Sequence, residues 1–375
     1  MRRALSTYSG DDAERALRKA TFADDDVPKE KHVQLLISLV NSHGSTKLAE
    51  LLARRLRAQQ RWEPVLKTLV VLHRLMREAN AGPAQRLAQR LLSQHAHVFD
   101  LASFLDKKDT MAWGQSTFIR LYGSYLHEKT LSVATLGYDV PERLKRSRAA
   151  TLREWQTTNS HALSEMAPLL LAQLNAIVKC EMYQQEGRVA SAVSAMLLML
   201  KDAMPLFAAV STLSLNVLQS YKRMRASQLR ASLPLCTSFA ALVAAFREWA
   251  SQLIRTGIVR QDMLPEFCAL PESTLEQMQA HLDDLERGDH HDSDRSDHDD
   301  DHCDDRYCDH FDDQNESLRD VLGADVHVDV HADSDDDFDP RAISTSNNTA
   351  TGTSSTLNQH KDVTVDDFFD DFLSS

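Results

Sequence analysis

The sequence predicts an all-α protein, with a helical domain over residues 1–287 and a disordered acidic tail over residues 288–375. Apolar residues from position 11 to 287 recur at helical rather than alternating spacing, as they do in helices with one buried face. Residues 1–287 carry 37 Lys and Arg against 29 Asp and Glu, whereas residues 288–375 carry 5 against 26. The basic and acidic regions therefore need separate interpretations.

The predicted helices follow one another without a β-rich block. Pro28 disfavours helical geometry at Val27, so a first helix is expected to stop near Ala23 and a second to begin close to Pro28. Pro64 suits the start of a later helix, and Pro234 is expected to lie between helices. The apolar stripes are Val33, Leu36, Ile37 and Val40; Leu48, Leu51, Leu52 and Leu56; Leu69, Leu72 and Met76; Val193, Met196, Leu197, Leu200 and Met204; and, after Pro205, Leu206, Val210, Leu213 and Val217.

The region after Gly288 changes abruptly in character. Asp/His runs come first, then a stretch rich in Ser, Thr and Asn, then an acidic end with clustered phenylalanines. Such a segment buries too little apolar area to offset the entropy of ordering it. We therefore expect a disordered tail whose specific content is limited to short linear motifs.

Composition and motifs exclude several classes of protein. The five cysteines have irregular spacing and form no disulfide framework, which favours a reducing cytosol. The longest apolar run, residues 190–200, is too short for a bilayer span of about 20 residues, so membrane contact is expected from the surface. No catalytic or phosphate-loop motif is present, which predicts a chain without enzymatic activity or a cofactor.

A basic cluster surrounds the first predicted helix junction. Lys29, Lys31 and His32 are expected in the first turn of a helix, where unpaired N–H groups and the positive dipole end favour an anion. Lys19 reaches the same spot if the two helices fold back on one another. The predicted ligand is a multiply phosphorylated headgroup held at the surface. The alternative is a merely solvated face, and the carboxylates of residues 24–26 should repel phosphates unless they point away.

The cluster resembles a known pattern. Lys19, nine intervening residues, and then Lys29, Glu30, Lys31 and His32 fit the phosphoinositide-binding pattern of the ANTH family, the lipid-binding module of CALM-type clathrin-assembly proteins. Further segments are similar to later parts of that family: Phe104-Leu-Asp-Lys-Lys, Ser116-Thr-Phe-Ile-Arg-Leu-Tyr, Tyr125-Leu-His-Glu-Lys and Lys201-Asp-Ala-Met-Pro-Leu-Phe-Ala-Ala.

The resemblance implies both a fold and a function. The fold is one solenoid-like helical superhelix of the ANTH/VHS-ENTH type, extended by long C-terminal helices. The function is that of an endocytic clathrin adaptor, cytoplasmic and peripheral on the plasma membrane and on clathrin-coated pits and vesicles. Lys19, Lys29, Lys31 and His32 are implied to contact phosphatidylinositol 4,5-bisphosphate, with Arg15 one turn before Lys19 as a helper. Clathrin is implied as a partner by the family only.

The tail carries one candidate recruiting motif. Phe368, Asp370 and Phe372 form an F-x-D-x-F arrangement, in which two aromatic anchors separated by an acidic residue can dock into a small apolar pocket ringed by basic residues. This arrangement resembles the motifs that engage the appendage domains of clathrin adaptor complexes. A chance occurrence in an acidic, Phe-containing tail is the alternative.

Other interpretations compete with lipid binding. A protein-only scaffold that holds vesicle SNAREs through residues 238–285 is one, and nucleic-acid binding through residues 143–148 is another, although that segment lacks stacking aromatics. The basic residues of that segment are Arg143, Lys145, Arg146 and Arg148, and no nucleic-acid partner is expected.

No metal site is expected in the tail, because the possible ligands lack paired close spacings. These ligands are His290, His291, His298, His302, Cys303, Cys308 and His310.

Overall fold

The computed structural model describes residues 10–157, 160–180, 189–260 and 272–292, all within the unit Met1–Cys303. These residues are almost entirely helical and include no β-strand, which confirms the all-α prediction. The α-helices are α1 (Gly10–Ala20), α2 (Glu30–Leu39), α3 (Ser45–Arg57), α4 (Trp62–Glu78), α5 (Ala81–Gln94), α6 (Thr110–Leu136), α7 (Val140–Thr157), α8 (Ser160–Val178), α9 (Ala190–Ser220), α10 (Ala226–Arg255) and α11 (Glu272–Asp292). A π-helical turn, Val40–Gly44, joins α2 to α3.

Helices pack mainly on helices that are next or next but one along the chain. Among these pairs are α1 with α2, α3 with α5, α4 with α6, α6 with α8, α7 with α9, and α8 with α10. This is the layered order of the predicted solenoid-like stack. The stripes predicted in α2, α3 and α4 and the stripe that follows Pro205 are buried throughout, as their helical spacing requires. The stripe predicted at the start of α9 was only partly right, because Met196 and Leu200 are buried while Val193, Leu197 and Met204 are half-buried.

Three prolines lie inside helices instead of between them, one of them Pro168 in α8. The expectation for Pro234 was wrong, because α10 runs unbroken from Ala226 to Arg255. Pro205 likewise lies within α9, so the stripes on either side of it belong to one helix. A proline removes one backbone hydrogen bond and crowds the preceding turn. Burial of apolar residues on both sides of each proline offsets that local penalty, which sequence rules alone do not weigh.

Helices α9 and α10 contain the most apolar segments of the described structure. Each has a stretch long and apolar enough to cross a membrane, with a mean hydropathy of 1.6. Both helices pack into the stack, α9 against α4, α7, α8 and α10, and α10 against α8, α9 and α11. Half of the apolar window of α9 and 39% of that of α10 are buried in the stack, and α9 also carries a buried carboxylate in the core, at Asp202.

Helix α4 lies at the centre of the domain. It packs against α1, α2, α3, α5, α6, α7 and α9, and 15 of its 17 residues are buried. A helix enclosed on all sides is expected to be apolar all round, yet α4 buries Lys67, His73 and Arg77. Each of these polar side chains needs a partner, and the partners determine how the neighbouring elements are held.

Asp202 is the common partner of a buried ionic network. Its carboxylate accepts hydrogen bonds from His73 Nε2 at 2.7 Å, from Lys129 Nζ at 2.7 Å, and from Arg77 and the Tyr125 hydroxyl. Burial alone raises the pKa of Asp202, but Lys129, His73 and Arg77 bring it well below its ordinary value. One ionised carboxylate of α9 thus connects α4 with α6.

Candidate functional site

Helix α1 ends earlier, before the α1–α2 junction, than the sequence predicted. Helix α1 ends at Ala20 rather than near Ala23, and the following Thr21 donates its hydroxyl to the Leu17 carbonyl at 2.8 Å. Arg55 of α3 donates to the Thr21 carbonyl at 2.6 Å and to its hydroxyl at 2.8 Å. The long-range contact from Arg55 satisfies backbone groups that a further helical turn would otherwise satisfy, so the chain leaves the helix early.

Helix α2 begins at Glu30, immediately after Lys29. Lys29 is the N-cap, with an extended backbone, and its carbonyl accepts the His32 N–H at 2.9 Å. Lys31 and His32 lie in the first helical turn, as predicted from Pro28. The His32 N–H is thus used within the helix, and the positive end of the helix dipole lies at the residues that carry the lysine side chains.

The structure brings the lysines of both helices to His32. Lys19, Lys29 and Lys31 are exposed, and His32 is partly buried. Helix α1 packs against α2, which brings Lys19 toward the start of α2. The pKa of His32 is lowered mainly by burial and further by the positive charges of Lys31, Lys19 and Lys29. Arg15 is exposed one turn before Lys19 on α1. Together these side chains form the lysine cluster: Arg15, Lys19, Lys29, Lys31 and His32.

Two cations of α4 neutralise acidic residues beside the lysine cluster. Lys67 forms an ion pair with Asp24, and its Nζ also donates to the Phe22 carbonyl at 3.1 Å. Arg74 pairs with Glu30, one contact being 2.9 Å, and this hydrogen bond is the main reason that the pKa of Glu30 is lowered. The carboxylates of Asp24 and Glu30 thus have cationic partners on the α4 side.

The other two carboxylates of the acidic loop differ from each other. Asp25 attracts Arg61, whose pKa is raised mainly by its hydrogen bond with Glu63 and additionally by Asp106 and Asp25. Asp26 has an exposed side chain, while its N–H donates to an Asp24 carboxylate oxygen at 3.3 Å. Repulsion of an approaching phosphate is therefore reduced at Asp24, which has an ion pair, and persists at the exposed Asp26.

Sequence reasoning did not identify Lys67 or Arg74 as part of this region. Both lie in the most apolar stretch of α4, more than 40 residues from Asp24 and Glu30, although Arg74 also pairs with Glu78 one turn further along α4. A cation within an apolar helix was the available signal, because such a residue is rarely buried without a partner. The identity of the partner depends on how α4 packs against the α1–α2 junction.

The remaining candidate residues are placed as follows. Arg143 lies over the Tyr138 ring, 4.2 Å from its centroid, and Arg146 contacts Glu142 at 3.2 Å. No group of three potential metal ligands occurs among the described side chains. The tail motif at residues 368–372 and the ligand candidates from His298 to His310 lie outside the described residues, as do the side chains of Arg148, His290 and His291.

The fold and the lysine cluster define an all-helical domain with an exposed cationic surface at the start of its second helix. Residues 12–284 match the ANTH domain, so the chain belongs to the ANTH domain family. This agrees with the resemblance seen in the sequence.

Several curated relatives are similar over the same region. The chain is 30% identical over 285 residues to the phosphatidylinositol-binding clathrin assembly protein of Rattus norvegicus, covering 76% of this chain and 43% of the relative. It is 30% identical over 287 residues to the clathrin coat assembly protein AP180 of Homo sapiens, covering 76% and 30%. A chain in the structure of the endocytic adaptor complex AENTH is 20% identical, covering 66% of this chain and 95% of that one, with a TM-score of 0.40. This protein therefore spans less than half the length of these two curated relatives.

Proposed function

We propose that this protein is a non-enzymatic endocytic clathrin adaptor that binds phosphatidylinositol 4,5-bisphosphate at the cytoplasmic face of the plasma membrane. In this proposal Lys19, Lys29, Lys31 and His32 contact the phosphates, and Arg15 assists. The observation that carries the proposal is the convergence of these cations while the carboxylates of Asp24 and Glu30 are paired with α4. The names of the similar clathrin assembly proteins agree with this role.

The chemistry of the lysine cluster suits a lipid headgroup. Each lysine ammonium offers three donors without a fixed direction, which fits several phosphate groups on one ring. The N–H groups at the start of α2 add a fixed partial positive charge. In the absence of phosphates the three lysines disfavour protonation of His32, whereas bound phosphates stabilise its charged form.

Charge reversal in the lysine cluster is expected to weaken vesicle binding strongly. Lys29→Glu/Lys31→Glu removes two cations, each worth about 1 kcal/mol at an anionic surface, and adds repulsion. We expect a loss of at least roughly thirtyfold in affinity for phosphatidylcholine vesicles containing phosphatidylinositol 4,5-bisphosphate, measured by sedimentation.

The control for this experiment reverses two exposed arginines outside the cluster. Arg86→Glu/Arg223→Glu changes the net charge by the same amount, on α5 and on the short turn Tyr221–Arg223. Binding by the control should stay near the wild-type level. An equal loss in both variants would assign the effect to net charge, and unchanged binding in Lys29→Glu/Lys31→Glu would exclude the proposed cluster.

We further propose that the tail recruits components of the clathrin coat through Phe368, Asp370 and Phe372. A peptide of residues 362–375 is expected to bind the appendage domain of a clathrin adaptor complex, because its aromatic anchors are spaced to enter one apolar pocket. Titration by calorimetry should detect binding that Phe368→Ala/Phe372→Ala abolishes. Equal binding by both peptides would contradict the role of the motif.

The alternative of a SNARE scaffold involves residues 238–285. The described parts of this range fall on α10 and α11, which pack against each other, and Arg230 pairs with Glu286 at 2.7 Å beside them. This packing accounts for the buried faces of the two helices without a further partner. Lipid binding through the lysine cluster is therefore the function that the described side chains support best.

A further inference from the structure

A group of exposed apolar side chains lies beside the lysine cluster. Among the described residues, five large apolar side chains are exposed, and all five lie in residues 21–29 or residues 100–113. Phe22 and Trp113 are the most exposed, at 62% and 58%. Apolar residues gathered in this way normally mark an interaction surface. The five, which we call the apolar loop patch, are Phe22, Val27, Leu105, Met111 and Trp113.

The start of α4 holds the two segments of the apolar loop patch next to each other. The Trp62 N–H donates to the Asp106 carboxylate at 3.0 Å, and Lys67 Nζ donates to the Phe22 carbonyl at 3.1 Å. These two anchoring residues are five positions apart, or roughly 7.5 Å along the helix axis. The segment that contains Phe22 and the segment that contains Leu105 therefore adjoin at the same end of α4.

Arg61 gives an independent indication that the two segments are neighbours. It immediately precedes α4 and is exposed. The pKa of Arg61 is raised mainly by Glu63 and further by the negative charges of Asp106 and Asp25. One guanidinium is therefore attracted by a carboxylate from each segment. Val27 is two residues from Asp25, and Leu105 directly precedes Asp106, so each belongs to one of the two segments that Arg61 adjoins.

The exposure of the patch does not come from loosely attached loops. Asp24 is tied to the buried Lys67, and the Asp106 N–H donates to the Ser116 hydroxyl at 2.9 Å. Asp109 caps α6 by accepting the Ala112 N–H at 2.8 Å, which fixes the helical turn that carries Met111 and Trp113. The backbone is therefore organised so that apolar side chains are presented to solvent.

The surroundings of the patch fit an anionic lipid surface. Lys29 and Lys31 follow Val27, and Lys107 and Lys108 follow Leu105, all with exposed side chains. Aromatic side chains flanked by lysines suit the boundary between lipid headgroups and acyl chains.

We infer that the apolar loop patch inserts into the boundary between headgroups and acyl chains of an anionic membrane when the lysine cluster binds phosphates. This inference rests on the proposed lipid-binding function and adds a second, apolar mode of contact to it. The electrostatic mode weakens with salt, whereas the apolar mode persists at high salt. The two modes are thus separable by experiment.

The test compares membrane binding with headgroup binding in full-length protein. Phe22→Ser/Trp113→Ser is expected to lower affinity for vesicles of phosphatidylcholine and phosphatidylinositol 4,5-bisphosphate by at least roughly tenfold, and more clearly at high salt. Affinity for soluble inositol trisphosphate, measured by calorimetry, should remain unchanged because the lysine cluster is intact. The matched variant Phe22→Leu/Trp113→Leu keeps apolar side chains and should retain most of the vesicle binding.

Fluorescence provides a direct measure of insertion. Vesicles with brominated acyl chains should quench wild-type tryptophan emission, and Trp113→Phe should remove most of that quenching. Equal quenching in the two proteins, or equal vesicle affinity of the wild type and the serine variant, would overturn the inference while leaving headgroup binding standing. A wild type that binds neither vesicles nor inositol trisphosphate would overturn the proposed function itself. A dimer that the serine variant dissociates without any change in vesicle affinity would assign the patch to self-association and overturn insertion.

Discussion

Replacement of Asp202 by alanine is expected to lower the free energy of unfolding of the helical domain by about 3–5 kcal/mol. The change removes the carboxylate that Lys129, Arg77 and the neutral His73 share. Lys129 keeps its ion pair with Asp139 and Arg77 keeps Glu142, but both cations stay in the interior with one partner fewer. Removal of one partner from a buried ionic network is far more destabilising than the loss of an exposed ion pair. The side chains of Asp202, His73 and Lys129 are fully buried, so water does not replace the lost contacts.

Denaturant unfolding followed by far-ultraviolet circular dichroism measures this effect. The matched control is Asp284→Ala, which removes an aspartate paired with Arg287 on the exposed side of α11. Loss of that exposed pair is expected to change stability by at most about 1 kcal/mol. Similar losses in the two variants would contradict the role of the buried network. A loss confined to Asp202→Ala would show that this carboxylate holds α9 on α4 and α6.

The domain is expected to lose about 3 kcal/mol of stability through His73 alone as the pH falls from 7 to 4. Burial lowers the pKa of His73 to about 4 from an ordinary 6.5, and Lys129 and Arg77 oppose its protonation, although Asp202 favours it. Because the carboxylate only accepts, the neutral ring donates to Asp202 through Nε2 and accepts the Tyr122 hydroxyl at Nδ1 over 2.8 Å.

The sign follows from the number of protons bound. Between pH 6.5 and about 4 the unfolded chain binds a proton at His73 that the folded chain does not, so acid favours unfolding. The stabilisation is fully present above pH 6.5 and is lost as the pH falls toward 4. Unfolding free energies should be measured across this range for the wild type and for His73→Gln, which cannot titrate. Parallel pH dependence in the two proteins would exclude His73 as the source.

The helical pattern was predictable wherever one face of a helix is buried. The stripe of Leu206, Val210, Leu213 and Val217 is buried as its spacing indicated, because the period of 3.6 residues alone determines which side chains share a face. Helix ends were less predictable. Pro234 lies within α10 although proline usually interrupts a helix, since burial along the whole helix outweighs one lost hydrogen bond.

The candidate site, like the fold, was predictable from the sequence only in part. Lys29, Lys31 and His32 were predicted at a helix start from the position of Pro28. Lys19 was added on the condition that the first two helices fold back on one another, and α1 does pack against α2. The partners of the neighbouring acids were not identified, because Lys67 lies 43 residues from Asp24 and no local rule joins them. The role of the lysine cluster and the boundary at residue 287 remain predictions, while α11 extends to Asp292.

The sequence by itself determined that the chain is helical, where the apolar faces lie and which basic residues gather at the start of α2. These properties depend on periodicity and on the conformational limits of proline, which act over a few residues. Only the tertiary structure decided which charges oppose each other, how Lys67 and Arg74 remove acidic neighbours from the lysine cluster, and that Phe22 and Trp113 remain exposed at one end of α4. Ion pairing and exposure depend on contacts between segments far apart in the chain, so local sequence patterns do not contain them.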